Sequence, residues 1–318
     1  MSTRMNAAFF EEYGEPDVVK SGELPKPEPG EGEVLVRVKS AGVNPVDYFV
    51  VRGSLEERIP AEFPAVPGWD LAGTVEENGF AARRFKPGDE VYAYARRPFI
   101  RHGTFAEYVI IPESYLALRS QTISMEEAGG IPLVGLTAWQ SLFDAGNLQQ
   151  GQTVLILGAS GGVGTLAIQL AKTKGAEVIG VAGKQNQKYM KELGAAHTID
   201  YSGNHVGEEV LAIAPGGVDL IYDCSRGDTF GQVMETGVLK EGGRIVSITK
   251  SQPDIPENID FSYVFVEPNA RQLGHLTELA DAGKIRVPVT KTYSLDEVPE
   301  ALKDIEKLHT RGKIVVTP

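Results

Sequence analysis

The segment of this sequence best suited to chemistry is GASGGVG, residues 158–164. It follows an apolar run, Thr153 to Leu157 (TVLIL), and leads into a stretch with helical spacing from Val163 to Lys174. A pyrophosphate needs backbone N–H donors with no side chains in the way. Glycines remove the Cβ, and a helix N-terminus adds partial positive charge. On this reading Ser160, Gly161, Gly162 and Val163 hold the phosphates of a dinucleotide, and Gly164 lets helix and strand pack closely. The strict G-x-G-x-x-G spacing is not met, because Ser160 stands between Gly158 and Gly161. The weight therefore falls on the strand–turn–helix context.

Two other readings fit the same residues. Gly158 to Gly162 also satisfies G-x-S-x-G, the nucleophile elbow of serine hydrolases, and Asp223 with His275 or His309 would formally complete a triad. Against it stand the missing His-Gly-Gly segment and Gly164, which an elbow does not need. The third reading is a tight turn of small residues with no ligand. The next strand, Glu177 to Val181, favours the dinucleotide. NAD-specific folds place an acid at the carboxyl end of that strand, where this chain has Ala182, Gly183 and Lys184. Glu177 is at the opposite end. With no carboxylate to repel a 2′-phosphate, and with Lys184 (helped by Lys188) to neutralise one, the expected cofactor is NADPH.

The elements that must position this turn follow from periodicity. Residues 1–122 read as short strands broken by Pro and Gly: Glu33 to Lys39, Thr74 to Glu77, Glu90 to Ala95 and Phe105 to Ile111. From Ser124 the pattern turns to strand–helix alternation. Helical segments at Met125 to Gly130 and Thr137 to Asp144 lead into strands at 153–157, 177–181, 198–200, 218–223 and 244–248, with helices between them. That alternation predicts a doubly wound parallel sheet. One more helix follows Pro268, and the tail ends in a strand at Lys313 to Thr317. The expected fold is α/β: a β-rich domain from residues 1–122 and 268–318, and a nucleotide-binding domain at 123–267.

Bulk properties limit the partners. The 318 residues carry a net charge of -12, so a polyanionic nucleic acid is not expected. No apolar stretch approaches the roughly 20 residues of a membrane span. The start, MSTRMNAAFFEEYG, lacks the apolar core of a signal peptide, and the chain reads as cytoplasmic. Cys224 is the only cysteine, which excludes an intramolecular disulfide and a cysteine-rich zinc site.

Seven segments in order now make a resemblance specific: AGVNPVDYFVVRG (41–53), FPAVPGWDLAGTV (63–75), FKPGDEVYA (85–93), GTFAEYV (103–109), PLVGLTAWQSL (132–142), the glycine-rich turn, and LGAAHTIDY (193–201). Over essentially its whole length the chain resembles the zinc-independent medium-chain dehydrogenase/reductases, in their quinone oxidoreductase-like branch. The resemblance implies a GroES-like domain, a Rossmann domain and an active cleft between them. It also implies a nicotinamide entering beside Thr137, Tyr201 near the adenosine 2′-phosphate, and a homodimer, for which Asp260 to Glu267 is the candidate edge. Zinc-dependent relatives place a metal-binding Cys within the stretch Ala41 to Asn44 and a His-Glu pair at Trp69 and Asp70. Neither is present, and the five histidines (102, 197, 205, 275 and 309) lack ligand spacing.

Without a metal Lewis acid, the acceptor must already be electrophilic, as quinones and α,β-unsaturated carbonyls are. Asn44 and Tyr48 are the candidates to donate hydrogen bonds to the developing charge, with Tyr48 also able to relay a proton. A turn-forming Asn44 and a core Tyr48 are the plainer alternatives. Phe49 and Trp69 are candidate apolar walls, and Asp70 reads as a structural carboxylate. The basic stretch Arg96 to His102 could meet an anionic substrate or simply be solvated. The expected activity is NADPH-dependent reduction of a quinone or enone. An enoyl-thioester reductase and a non-catalytic NADPH-binding, redox-sensing protein are the alternatives.

Overall fold

The computed structural model describes residues 3–203, 205–307 and 310–318. His309 lies outside them. The chain divides into two compact units, Met1–Leu133 with Glu267–Pro318, and Val134–Val266.

The first unit opens with β1 (Arg4–Phe9) paired antiparallel to β2 (Lys20–Pro25). Then come β3 (Glu33–Gly42), α1 (Pro45–Val51), β4 (Ala61–Val66), β5 (Asp70–Asn78), β6 (Glu90–Tyr94), β7 (Ile100–His102), β8 (Tyr108–Pro112) and β9 (Ala117–Leu118). The EVLVRVK alternation at the start of β3 buries Val34, Val36 and Val38 and exposes Arg37 and Lys39. Leu35 on the opposite face is buried too, so the strand is covered on both faces there. Residues 45–51 form a helix although PVDYFVV is poor in helix formers. Pro45 supplies a φ suited to the first turn, and burial of Tyr48, Val50 and Val51 overrides propensity.

α2 (Met125–Gly129) packs on β3 and β5, so residues 123–133 belong with the first unit rather than with the nucleotide-binding domain, where the sequence placed them. The approach is close: a Cβ on Gly129 would lie 2.5 Å from Ser40 Oγ. α3 (Pro132–Trp139) crosses the boundary and runs on as a π-helix, Gln140–Ala145.

The second unit follows the predicted alternation. It comprises β10 (Thr153–Leu157), α4 (Gly162–Thr173), β11 (Glu177–Ala182), α5 (Gln187–Leu193), β12 (His197–Asp200), α6 (Val206–Ile213), β13 (Val218–Asp223), α7 (Thr229–Thr236), β14 (Leu239–Ser247) and β15 (Asp260–Tyr263). The strands are parallel, in the order β12-β11-β10-β13-β14-β15. This is the doubly wound order, in which ligands bind beyond the carboxyl ends of the strands where the order reverses. Leu155, Leu157, Ile179, Val181, Ile221 and Ile245 form the centre of its core.

The chain then returns to the first unit with α8 (Ala270–Asp281), β16 (Val289–Tyr293), α9 (Val298–Glu306) and β17 (Lys313–Val316). β17 runs parallel to β16 and antiparallel to β3, setting Val315 opposite Gly42 and Val316 opposite Ala41. This pairing brings the last strand alongside the residues that lead into α1. Among the described residues no helix is long and apolar enough to cross a membrane.

Candidate active site

In the second unit the glycine-rich turn sits at the carboxyl end of β10. Gly158 has φ +77°, and a Cβ there would lie 2.9 Å from the Cys224 carbonyl oxygen. Its N–H and that of Ala159 both donate to Val181 O, at 3.1 and 3.0 Å, tying the turn to β11. Gly161 is the residue before α4, and its carbonyl accepts the Thr165 N–H at 2.8 Å. The N–H groups of Gly162 and Val163 open the helix, where an α-helix offers no internal acceptor. A Cβ on Gly164 would fall 2.5 Å from Gly158 O and 2.6 Å from Ala159 C, so this glycine is required for packing. These features suit a phosphate cradle.

They suit a nucleophile elbow poorly. An elbow places its serine on a strained turn, but among the described residues only Ala81 and Asn147 combine a side chain with positive φ. Ser160 Oγ accepts from Asn186 Nδ2 at 3.0 Å. Asp223, the acid such a triad would use, is buried and accepts from Ser225, Ser247, Thr249 and Lys250, none of them a histidine.

At the end of β11, Gly183 and Tyr201 come together: a Cβ on Gly183 would lie 3.4 Å from Tyr201 Oη. Lys184 beside them is exposed. Lys188 is paired with Glu192 at 3.6 Å, which weakens its case as a helper. Sequence reasoning missed Asp200, which lies opposite Ala182 at the end of β12. Hydrogen bonds from Ser202, helped by the charge of Lys184, hold its carboxyl below the usual range. Sequence reasoning also missed Gln187, whose Nε2 donates to Ala182 O at 2.9 Å and Ile199 O at 3.1 Å, fastening the ends of β11 and β12. Thr137 is buried in this unit, with its carbonyl accepting from Tyr222 Oη at 3.4 Å.

The first unit holds a second polar centre. Asn44 is fully buried. Its Nδ2 donates to Asp70 Oδ2 at 2.8 Å and Gly42 O at 3.3 Å, and its Oδ1 accepts from Lys313 Nζ at 2.5 Å. The carboxamide is thus engaged on both sides, so Asn44 holds its neighbours together and is not the substrate-facing donor expected from the sequence. Spacing along the chain could not show this, because Lys313 arrives from 269 residues away. Asp70 has the structural role expected of it: Oδ1 accepts the Leu133 N–H at 2.6 Å. Asp47 Oδ2 accepts the Asn44 N–H at 2.7 Å, while Oδ1 is buried without a partner.

Burial dominates the titration of this cluster. It pushes the Asp47 carboxyl up to about 8. Burial also raises Asp70 and lowers Lys313, each opposed by the other's charge. Gly42 is needed here, since a Cβ would lie 2.7 Å from Asp70 Oδ2.

Tyr48 is buried, with its ring 4.3 Å from that of half-buried Phe49 and the Arg52 guanidinium 5.4 Å from its centroid. Trp69 is 3% exposed and meets Tyr94 edge-on at 6.1 Å, so packing accounts for most of its surface. The basic stretch is internally compensated: Arg96 pairs with Glu267, Arg97 with Glu33 at 2.7 Å and Arg101 with Glu62 at 3.0 Å. Among the described residues, no group of three or more His, Cys, Asp or Glu side chains could hold a metal ion.

Comparison with known proteins agrees with this architecture. Residues 30–121 match the family described as "Alcohol dehydrogenase GroES-like domain", and residues 193–316 match "Zinc-binding dehydrogenase". The mitochondrial NAD(P)H oxidoreductase RTN4IP1 of Danio rerio is 30% identical, over 99% of this chain and 92% of its own. The chloroplastic NADPH-dependent alkenal/one oxidoreductase of Arabidopsis thaliana is 32% identical, over 99% of this chain and 80% of its own. The structure of the quinone oxidoreductase from Coxiella burnetii superposes with a TM-score of 0.86 at 32% identity, covering 99% of each chain. The chain is therefore an oxidoreductase that uses a nicotinamide cofactor, and it belongs to the zinc-independent medium-chain dehydrogenase/reductases, in their quinone oxidoreductase-like branch.

Proposed function

We propose that this protein is an NADPH-dependent reductase of quinones or α,β-unsaturated carbonyls. The observation that carries the cofactor choice is the end of β11, where Gly183, exposed Lys184 and Tyr201 come together and the strand itself supplies no acid. In this reading the backbone from Ser160 to Val163 binds the pyrophosphate. Lys184 and the Tyr201 hydroxyl bind the 2′-phosphate, and Thr137 packs against the nicotinamide. The cofactor, when bound, supplies the hydride.

The chain's own residues do the rest. Hydride transfer requires the acceptor carbon about 3–3.5 Å from the donor carbon, which is a matter of shape, and Phe49 and Trp69 are assigned to that shaping. Charge then builds on the acceptor's carbonyl oxygen. A donor aimed at that oxygen lowers the barrier most in a water-poor site, and we assign this to the Tyr48 hydroxyl. Asn44 acts by holding the start of α1 in place.

Loss of NADPH absorbance at 340 nm, followed with simple quinones and simple 2-enones, tests the proposal. Substrate-dependent oxidation of NADPH, faster than that of NADH, is expected. Tight NADPH binding with no turnover of either class would refute it. β15, at the edge of the sheet, is proposed to pair with its copy in a homodimer, which light scattering of the purified protein tests. The cytoplasm remains the expected compartment, which fractionation of the native host tests; the organelles in the relatives' names belong to those proteins.

A further inference from the structure

Among the described residues Lys313 is the only lysine or arginine that is buried, and it opens an otherwise apolar strand, KIVV. Its ammonium donates to Val43 O at 2.9 Å and to Asn44 Oδ1 at 2.5 Å, and lies 3.6 Å from Asp70 Oδ2. Charge therefore fixes which way the Asn44 carboxamide points: oxygen towards the cation, nitrogen towards the carboxylate.

An asparagine preceding a helix ordinarily turns its side-chain oxygen onto a free N–H of the first turn. Asn44 closes a capping box with Asp47, and its Oδ1 accepts the Lys313 ammonium besides. Its own N–H is held by Asp47, three residues on. The start of α1 is thus pinned from two sides, by Asp47 within the helix and by Lys313 from β17. One turn later α1 carries Tyr48 and Phe49.

Stability alone gives little reason for such a cluster, because well-packed apolar residues in place of a buried ion pair fold equally well or better. We propose that Lys313 is a positioning residue for the acceptor side of the reaction, locking Asn44 and hence the segment that presents Tyr48. The inference rests on the assignment of Tyr48 to the reacting substrate.

Three variants test it: Lys313→Met, Asp70→Asn, and the two combined. Lys313→Met strands a buried carboxylate and should lower both the melting temperature and kcat. The double variant removes both charges, whereas Asp70→Asn alone strands the Lys313 ammonium, so the double variant's melting temperature should be at least that of Asp70→Asn. Its kcat with a simple quinone should nevertheless stay at least about tenfold below that of Asp70→Asn, with KM for NADPH within about twofold, as expected when only transition-state stabilisation is lost. Amide exchange over residues 45–51 of the free protein should be faster than in Asp70→Asn. A double variant matching Asp70→Asn in kcat, or in exchange over 45–51, would overturn the proposal. If the wild-type protein reduces neither quinones nor enones, the reductase assignment fails by itself, and the exchange measurement still decides the role of Lys313.

Discussion

Replacing Gly164 with alanine probes the phosphate turn from behind. The new Cβ would sit 2.5 Å from Gly158 O and 2.6 Å from Ala159 C and Cα, all backbone atoms that no rotamer change can move. Carbon contacts are comfortable near 3.5–4.0 Å, so α4 must back away from the turn by about 1 Å. Overpacking of this kind costs about 1–3 kcal/mol, and rigid backbone on both sides places this case at the upper end. The second unit's melting temperature should fall by about 6–12 °C, at 2–4 °C per kcal/mol. The same retreat lengthens the hydrogen bonds from Gly162 and Val163 to the pyrophosphate. Losing one charged hydrogen bond, about 1.5–3 kcal/mol, weakens NADPH binding roughly 10- to 100-fold.

Gly161→Ala is the counterpart. Its Cβ meets nothing nearer than 3.6 Å, and φ -73° with ψ 177° suits any residue. Stability should change by no more than about 0.5 kcal/mol, while the methyl group enters the space reserved for phosphate and binding drops. Thermal denaturation and quenching of protein fluorescence by NADPH report the two effects separately. An unchanged melting temperature for Gly164→Ala would refute the packing argument. Undiminished NADPH affinity in Gly161→Ala would refute the cradle.

Lys184→Glu reverses a charge beside the proposed 2′-phosphate and should cost up to about 4 kcal/mol in NADPH binding while leaving NADH within about twofold; equal losses for both nucleotides would remove Lys184 from the site. Tyr48→Phe should reduce kcat by about 10- to 100-fold with the NADPH dissociation constant unchanged, and a wild-type kcat would hand the donor role to solvent. Asp47→Asn should alter the pH dependence of folding. The Asp47 carboxyl holds its proton up to about 8 when folded, whereas the unfolded chain releases it near 4. Wild-type stability contributed by this group is therefore fully present below about pH 4 and lost as pH rises to about 8. The asparagine variant escapes that loss, gaining on wild type by up to about 1.4 kcal/mol per pH unit across the window. Parallel urea titrations at pH 5, 6.5 and 8 that show a constant difference would contradict this.

The nucleotide-binding sheet was legible because each of its signals is local. TVLIL is apolar throughout since β10 is covered on both faces, and the turn's glycines answer contacts made within a few residues of themselves. The cluster around Asn44 was illegible for the opposite reason. Asn44, Asp70 and Lys313 gain their meaning only when β3, β5 and β17 come side by side, and Asn44 before Pro45 reads equally well as a turn. A single lysine opening KIVV was the one available hint. The π-helix at 140–145 left no mark on periodicity that separates it from an ordinary helix. α1 was hidden by β-branched and aromatic residues whose helicity comes from burial.

The pairing of β17 with β3 also sets an order of assembly. The first unit is built from the two ends of the chain, and Asn44 leaves the ribosome 269 residues before Lys313. At roughly 5–20 residues per second that interval is about 15–50 s. During it every residue of the second unit has been synthesised, so the Rossmann sheet can fold while β3 still lacks a neighbour along Ala41 and Gly42. The buried carboxylate of Asp70 has no counter-charge until Lys313 emerges. Nascent chains halted before residue 313 should therefore carry a competent nucleotide-binding fold and an unfinished first unit.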